Sequence, residues 1–269
     1  ADELLELQHY RLAWWRRGND EINYRRFFDI TGLAGVCVER ARVFDDVHAL
    51  PLRLIAEGLI DGLRLDHIDG LGSPRAYLHR LRRRVEAARR RRPEPLRGPV
   101  PIYVEKILAH DEALPPNWPV DGSTGYDFMD QVAGVLHDGA GEAPLRRAWA
   151  ACSGGRANDF DKEERLARRY LLGASLHADF AAAARAWHEF AQQQPDGREF
   201  TTHALARGLA ELLEQMRVYR SYLGPAAPSA ADRAALERAA AAARRYGDPD
   251  RDEVRAYLLR QLLERQLRR

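Results

Sequence analysis

Two short apolar segments on either side of a helical pattern constrain the fold of this chain most strongly. The first segment, Leu63–Asp66, alternates apolar and polar residues, and turn signals follow it at once. Ser73 is placed to cap a helix that has Pro74 at its first position and runs to about Arg92. The second apolar segment is Pro99–Ile107. A strand, a helix and a strand within about 45 residues predict two parallel strands joined by a right-handed crossover.

The remaining patterns divide the chain into a mixed first half and a helical second half. Ile22–Ile30 is predicted to be a strand or an extended segment, and Val43–Glu57 a helix that Gly58 ends. Helical patterns occupy Glu142–Tyr222 and Ser229–Arg269 with little interruption. The predicted fold class is therefore α/β, followed by a large all-helical part.

Composition excludes several classes of protein. With 45% hydrophobic and 30% charged residues, the chain is expected to be neither disordered nor membrane-spanning. Cys37 and Cys152 predict neither a disulfide scaffold nor a metal site. Because no signal-peptide pattern is present, we expect a cytoplasmic protein. We expect Trp14, Trp15 and Trp118 in the core.

Basic side chains are concentrated between Arg80 and Arg97, although the net charge of the chain is only +2. Glu86 and Glu94 interrupt this run, and no aromatic residue is interleaved for base stacking. We therefore predict a solvated helix face and no nucleic-acid partner.

Asp66 and Glu105 are candidate catalytic residues. Each stands at the C-terminal end of a predicted strand, the edge where functional groups collect in parallel α/β architectures. Arg64 points to the same side as Asp66 and is expected to keep that carboxylate ionised, whereas apolar neighbours are expected to raise the pKa of Glu105. Glycoside chemistry requires such a pair, one anionic acid and one proton donor. The alternative is that Arg64 and Asp66 form only a structural ion pair.

Several segments resemble a known enzyme superfamily. Gly62–His67 is similar to the nucleophile strand of the α-amylase superfamily, and Tyr103–Ile107 is similar to its acid/base strand. Within the superfamily the fit is closer to the maltooligosyltrehalose synthases. Their hallmark segments are similar to four stretches of this sequence, in the same order: Asp20–Asp29, Asp66–Leu71, Thr124–Phe128 and Val218–Tyr222. Unlike a typical amylase, the chain has His67 directly after Asp66 and no Lys-His pair downstream.

The resemblance implies that residues 1–135 are an incomplete part of a (β/α)8 TIM barrel carrying the catalytic carboxylates, and that residues 136–269 are a helical subdomain. It implies a (1→4)-α-D-glucan 1-α-D-glucosylmutase, a retaining enzyme of trehalose biosynthesis. Such an enzyme converts the reducing-end α-1,4 bond of a maltooligosaccharide or α-1,4-glucan into an α,α-1,1 bond. No cofactor, metal or membrane partner is implied, and the implied pathway partner is maltooligosyltrehalose trehalohydrolase.

The resemblance also implies roles for individual residues. Asp66 is the implied nucleophile that forms a glucosyl-enzyme, and Glu105 the acid that protonates the leaving oxygen and then acts as base. Arg64 is implied to orient Asp66. The residues predicted to bind the sugar are His67, Asp69, Lys106, Tyr24, Arg25, Arg26, Phe28, Asp29, Tyr126 and Asp127. For each of these residues, packing or a structural ion pair is the alternative.

A complete site of this kind needs a third acid on a later barrel strand and an earlier segment with Asp and His. The sequence contains no match to either, so we expect the chain alone to be inactive or badly impaired. Two other functions stay open: a hydrolase or 4-α-glucanotransferase of the same superfamily, and a non-catalytic, Arg-rich helical interaction protein.

Overall fold

The computed structural model describes residues 2–154, 159–224 and 227–264, which are mostly helical with two small sheets. The strands are β1 (Arg26–Phe27), β2 (Ile30–Ala34), β3 (Leu63–Leu65), β4 (Ile102–Val104) and β5 (Gly122–Ser123). The helices are α1 (Asp2–Glu6), α2 (Gly18–Glu21), α3 (Ala41–Glu57), α4 (Pro74–Arg89), α5 (Tyr126–Leu136), α6 (Glu142–Cys152), α7 (Phe160–Gly173), α8 (His177–Gln192), α9 (Thr202–Glu214), α10 (Ala230–Tyr246) and α11 (Asp252–Glu264). None of the described helices combines the length and the apolar composition that crossing a membrane requires.

Residue contacts group the chain into two compact units. The first, which we call the helical unit, consists of Ala1–Ala34, Asp159–Met216 and Leu236–Arg265. The second, the strand unit, consists of Gly35–Asn158 and Arg217–Ala235. The predicted division at residue 135 into a barrel segment and a helical subdomain stays a prediction.

The strand unit contains a parallel sheet with the order β3-β4-β5. Leu63 pairs with Ile102, and Leu65 pairs with Val104. The prediction of two parallel strands on either side of a helix is confirmed. The sequence pattern did not indicate β5, because a two-residue strand is too short to show an alternation.

Helices α3 and α4 share a core with β4. Phe44 and Ile55 of α3, Leu81 and Val85 of α4, and Ile102 of β4 have no exposed surface. Burying such side chains supplies most of the favourable free energy that holds a sheet and its helices together. This core fixes the strands whose ends carry the candidate acids.

The sequence correctly predicts how α3 ends and how α4 begins. Gly58 ends α3 with a φ of 77°, a left-handed conformation that glycine adopts without a Cβ penalty. Ser73 caps α4 by accepting a hydrogen bond from the backbone N–H of Ala76, and Pro74 occupies the first helical position.

Helices α8, α9 and α11 and part of α10 supply the core of the helical unit, in which Ala191, Leu205 and Leu258 are fully buried. Gly208 of α9 allows α11 to approach closely, since an added Cβ would lie 2.7 Å from Val254 Cγ1. The antiparallel hairpin of β1 and β2 belongs to the same unit.

One part of the helical prediction is wrong, and one part lies outside the described residues. Residues 217–224 form an irregular segment instead of a continuation of helix, because several of their side chains are used in contacts with the turn after β3. The last described helix ends at Glu264, and the predicted extension to Arg269 lies outside the described residues. The sequence also predicts loops near Gly154–Gly155 and at Gly224–Pro228, and both lie partly outside the described residues.

The prediction of buried tryptophans is correct for Trp118 and wrong for Trp14 and Trp15. Trp118 is 5% exposed, whereas Trp14 and Trp15 are 61% and 73% exposed. The guanidinium of Arg16 lies 4.8 Å and 5.4 Å from the centroids of the two exposed rings, a cation–π arrangement that needs no burial.

The sequence predicts that the basic run on and after α4 is solvated, but the structure places two of its arginines in internal contacts. The guanidinium of Arg92 is buried, where it donates to the backbone oxygen of Ile60 and pairs with Asp61. Arg82 pairs with Asp121 at 2.5 Å. The prediction is wrong for these residues because acceptors on neighbouring segments bind their guanidinium groups.

Candidate active site

The ends of three parallel strands place the candidate catalytic residues at one edge of the sheet. Asp66 directly follows β3 and Glu105 directly follows β4. The backbone N–H of Glu105 donates to Leu65 O at 2.7 Å, and that of Thr124 donates to Val104 O at 3.0 Å. The pairing of the strands therefore continues past their ends, so Asp66 and Glu105 are neighbours in register.

Arg64 contacts both candidate acids. Its Nη1 donates to Asp66 Oδ1 at 2.9 Å, and its Nη2 lies 3.7 Å from Glu105 Oε1. The ion pair of Arg64 and Asp66 is present, and it extends to the second acid. A planar guanidinium is suited to this arrangement, since its two Nη atoms can face two different carboxylates.

Neighbouring groups lower the pKa of Asp66. A hydrogen bond with Glu105, followed by the contact with Arg64, holds that pKa below its ordinary value, although slight burial opposes the shift. The lowered pKa favours the anionic form of Asp66, the form that a nucleophile requires.

Of the apolar neighbours predicted for Glu105, Tyr103 shares its face of the strand, whereas Ile102 and Val104 do not. Ile102 and Val104 are fully buried, and successive side chains of a strand point to opposite faces, so these apolar groups lie on the other side. Glu105 instead accepts a hydrogen bond from the backbone N–H of His67 to Oε2 at 2.8 Å. Its side chain is 17% exposed.

His67 has an unusual backbone conformation, with φ at 44°. A residue other than glycine in this region costs on the order of 1 kcal/mol or more, and the surrounding structure must supply that energy. The His67 ring packs over Gly70, where an added Cβ would lie 2.7 Å from its Cδ2 atom. The Tyr219 ring meets it edge-on, with 6.2 Å between the centroids. These contacts hold the N–H of His67 toward Glu105.

Asp69 and Lys106 are buried beside the two acids. Lys106 Nζ lies 2.8 Å from Glu112 Oε1 and 3.4 Å from Asp69 Oδ2, and the Lys106 side chain has no exposed surface. The hydroxyl of Tyr222 donates to Asp69 Oδ1 at 2.5 Å. Both residues are thus used in an internal ionic cluster, and their predicted binding to sugar stays a prediction.

Tyr126 and Asp127 begin α5, directly after β5 and the turn that follows it. The Ser123 hydroxyl donates to Asp127 Oδ1 at 2.7 Å and lowers the pKa of Asp127. Because β5 is parallel to β4, this segment leaves the sheet at the edge that carries Asp66 and Glu105. Its predicted contact with sugar stays a prediction.

The remaining sugar-binding candidates, Tyr24, Arg25, Arg26, Phe28 and Asp29, belong to the helical unit. Arg26 is buried and binds Asp179 at 2.7 Å and Ser175 O at 2.9 Å, which joins the β1–β2 hairpin to α8. Tyr24 donates to Thr31 O at 2.6 Å within the hairpin. Arg25, Phe28 and Asp29 are exposed, and the predicted role of all five stays a prediction.

A cleft of about 300 Å³ opens beside Arg64 and Asp66. Most of its lining is apolar, and His48 and Tyr77 contribute a hydrogen-bonded pair at 2.9 Å. The apolar lining residues are Val36, Val38, Val47, Leu65, Ile68 and Leu71. Small-molecule sites are of this kind, an apolar concavity with a few placed polar groups.

Sequence analysis missed the supporting residues of the site. Glu112 lies in an irregular segment, and nothing in its sequence context pairs it with Lys106. Asp121 accepts hydrogen bonds from the backbone N–H of Ile102 at 2.7 Å and from Arg82, and so ties β4 to the residue before β5. The match of Val218–Tyr222 to a hallmark segment indicates that these residues matter to the site. It does not indicate which residues they contact.

Comparison with known proteins bears on this geometry. No protein-family model matches the sequence. Over 139 residues the chain is 52% identical to curated proteins of two Mycobacterium tuberculosis strains, each named "Putative maltooligosyl trehalose synthase". The match covers 51% of this chain and 16% of each relative.

Solved structures match over almost the whole chain. The maltooligosyltrehalose synthase from Arthrobacter ramosus matches with a TM-score of 0.78 and 36% identity, over 96% of this chain and 30% of that one. This chain is similar to a segment of the maltooligosyltrehalose synthases. A solved glycosyltrehalose synthase matches with a TM-score of 0.65 and 28% identity, over 97% of this chain and 31% of that one. The resemblance found in the sequence is confirmed, and the chain spans less than a third of the length of these relatives.

Proposed function

We propose that this chain contributes the nucleophile and the acid/base of a (1→4)-α-D-glucan 1-α-D-glucosylmutase. Such an enzyme converts the reducing-end α-1,4 bond of a maltooligosaccharide into an α,α-1,1 bond and leaves a terminal trehalosyl unit. The observation that carries the proposal is the pair Asp66 and Glu105, at adjacent parallel strand ends and in contact with one guanidinium. The relatives named as maltooligosyl trehalose synthases support this specific reaction.

The first chemical step gives the two acids different roles. An Asp66 carboxylate oxygen attacks the anomeric carbon of the penultimate glucosyl unit, whose bond to O4 of the terminal glucose breaks. Glu105 gives its proton to that departing oxygen. The lowered pKa of Asp66 keeps the nucleophile ionised, as the attack requires.

The second step reverses these roles. The released glucose presents its anomeric hydroxyl, Glu105 removes the proton of that hydroxyl, and the new oxygen–carbon bond displaces Asp66. Two displacements at one carbon retain its configuration. The geometry supports retention, because retaining enzymes hold their two carboxyl groups about 5–5.5 Å apart and inverting enzymes about 6.5–9.5 Å. One guanidinium contacts both carboxyl groups, at 2.9 Å and 3.7 Å, which brings the two acids close together.

The sugar-binding roles are assigned in two groups. His67, Tyr126 and Asp127 stand at the sheet edge and are proposed to contact sugar hydroxyls directly. Lys106 and Asp69 are buried, so we assign them to supporting the turn around the acids. The hairpin residues Tyr24, Arg25, Arg26, Phe28 and Asp29 are proposed to belong to the substrate-binding surface of the complete site.

The three parallel strands are proposed to be part of a (β/α)8 TIM barrel, with residues 1–135 as its incomplete segment and residues 136–269 as a helical subdomain. Functional groups at the C-terminal strand edge support this assignment. Additional chain is proposed to supply the third acid. The proposed setting is cytoplasmic trehalose biosynthesis, with maltooligosyltrehalose trehalohydrolase consuming the product and neither nucleic acid nor membrane as a partner.

The test uses the full-length protein that contains this sequence, with maltopentaose as substrate. We expect a product of unchanged mass that has lost its reducing end. Asp66→Asn should abolish the reaction, whereas Asp130→Asn, at an exposed carboxylate of α5, should leave it unchanged. The 269-residue chain, assayed in parallel, is expected to form no trehalosyl product.

Trapping of the intermediate separates the two acids. Glu105→Gln should still form a covalent adduct with α-maltosyl fluoride, since fluoride departs without a proton, and the adduct mass should map to Asp66. Asp66→Asn should form none. An adduct on another carboxylate would contradict the assignment.

The rival functions give different products. Net formation of reducing sugar would indicate a hydrolase, and longer and shorter glucans with constant reducing-end count would indicate a 4-α-glucanotransferase. A helical interaction protein would show no turnover and would bind polyanions in a salt-dependent way.

A further inference from the structure

The irregular segment 217–222 lies against the turn that follows Asp66, within the strand unit. Arg220 Nη1 donates to the backbone oxygens of Asp69 and Leu71, both at 2.7 Å. One guanidinium nitrogen therefore binds two carbonyl groups of the same turn. Carbonyl groups bound in this way fix the path of the backbone between them.

That turn begins at His67, whose backbone N–H donates to Glu105. His67 is held at a φ of 44°, a conformation it keeps only while its surroundings enforce it. Arg220 binds the C-terminal half of the turn, and the Tyr219 ring contacts the His67 ring. The segment thus acts on both ends of the turn.

A second connection reaches Glu105 from its other side. Lys106, the next residue in the chain, lies 3.4 Å from Asp69 Oδ2. The Tyr222 hydroxyl donates to the other oxygen of the same carboxylate, and the Arg220 guanidinium lies 5.3 Å from the Tyr222 ring centroid. Burial and the Asp69 carboxylate raise the pKa of Tyr222, so this hydroxyl keeps its proton and donates throughout the physiological pH range.

We infer that Arg220 is a positioning residue for Glu105, acting through the turn 67–71 and the His67 amide. Its function is to hold the Glu105 carboxyl in the orientation from which its proton reaches the departing glycosidic oxygen. The inference rests on the proposed function, since it assigns Glu105 the role of acid. Arg220 itself touches neither reacting atom.

The prediction that follows is a dependence on the leaving group. In the full-length protein, Arg220→Ala should lower kcat for maltopentaose by about 100-fold, the size expected when a catalytic group is displaced by about 1 Å. The same variant should change the first-turnover release of fluoride from α-maltosyl fluoride by less than about threefold, because that step needs no acid. KM for maltopentaose should change little.

Three variants complete the test. Arg220→Lys should recover part of the lost rate, since an ammonium group can bind at least one of the two carbonyls. Tyr222→Phe should reproduce the leaving-group pattern more weakly, and it decides the test if Arg220→Ala does not fold. Arg83→Ala, at an exposed side chain of α4, should match the unsubstituted protein with both substrates.

The outcomes separate the inference from the proposed function. If the unsubstituted protein forms no trehalosyl product, the proposed function fails. If it does form the product, equal losses with both substrates in Arg220→Ala and Tyr222→Phe would mean a merely structural role and would overturn the inference. Unchanged rates in both variants would overturn it as well.

Discussion

The backbone amide of His67 donates a 2.8 Å hydrogen bond to Glu105, so the residue that follows one candidate acid holds the other. The peptide between Asp66 and His67 therefore belongs to both groups. A shift of this peptide would therefore move Asp66 and, at the same time, weaken the hydrogen bond from His67 to Glu105. For that reason the turn after β3 is as important to the site as the carboxylates themselves.

Gly70→Ala is expected to disturb this turn. The new Cβ would lie 2.7 Å from the His67 ring, which is packed against Tyr219 and has little room to move. We expect a loss of about 1–3 kcal/mol in the free energy of unfolding, measured by urea denaturation. Gly98→Ala is the control, because nothing lies within 4 Å of its added Cβ. A Gly70→Ala protein as stable as the Gly98→Ala protein would contradict the close packing.

Arg64→Ala should change the pH dependence of catalysis. The guanidinium helps to hold the pKa of Asp66 below its ordinary value, so its removal raises that pKa. As pH falls, the nucleophile is then protonated earlier, and the acidic limb of kcat/KM moves to higher pH. At neutral pH we expect kcat/KM to fall by about 100-fold through lost alignment of the two acids. Arg64→Lys keeps the positive charge but not the planar guanidinium. We therefore expect its acidic limb to lie close to that of the unsubstituted protein, while its kcat/KM at neutral pH stays reduced. An unmoved acidic limb in Arg64→Ala would contradict the contact.

Lys106→Met should be strongly destabilising. It leaves the carboxylates of Glu112 and Asp69 buried without their cation, which costs about 3–5 kcal/mol for an interior ion pair. The double variant Lys106→Met with Glu112→Leu should recover part of that loss, since one of the unpaired charges is gone. Equilibrium unfolding of the unsubstituted protein, Lys106→Met, Glu112→Leu and the double variant measures the coupling. A double variant whose loss of stability equals or exceeds the sum of the two single losses would argue against a direct ion pair.

Asp121 should make stability depend on pH in the acid range. Burial alone would raise its pKa, but the backbone N–H of Ile102 and the guanidinium of Arg82 lower it below the ordinary 3.8. A carboxyl group with a lowered folded-state pKa stabilises the fold above its unfolded-state pKa, and this contribution is lost as pH falls through the folded-state value. The stability difference between the unsubstituted protein and Asp121→Asn should therefore be constant above about pH 5 and shrink below about pH 4. A stability difference that does not change with pH would contradict an ionic contribution of Asp121.

Local sequence signals correctly predicted the features of the fold that depend on residues close together in the chain. The Ser73 and Pro74 signals placed the start of α4, and Gly58 placed the end of α3. The strand-end positions of Asp66 and Glu105 followed from the same local patterns. These features are set by capping, by backbone conformation and by strand periodicity, which short stretches of sequence contain.

The contacts between distant segments were not predictable in this way. Nothing in the sequence shows that the amide of His67 faces Glu105, because a backbone donor has no side-chain signature. The helical pattern continued through Tyr222, but the side chains of residues 217–222 bind the turn after β3, and those tertiary contacts override the helical preference. Burial of Lys106 depends on Glu112 in an irregular segment, which periodicity does not describe.

The contact between Arg220 and Asp69 joins residues 151 positions apart, and the whole of Asp159–Met216 lies between them in the chain. A ribosome working at about 5–20 residues per second needs roughly 8–30 seconds to synthesise that stretch. In the later part of this time, once Glu105 and β5 have been made, a nascent chain holds both acids and all three parallel strands without the guanidinium that ties the turn. Long-range contacts of this kind form late and slow the overall folding rate. We therefore expect that substitutions in the intervening helices that slow folding also delay the formation of the turn beside Asp66 and Glu105, although they contact neither acid.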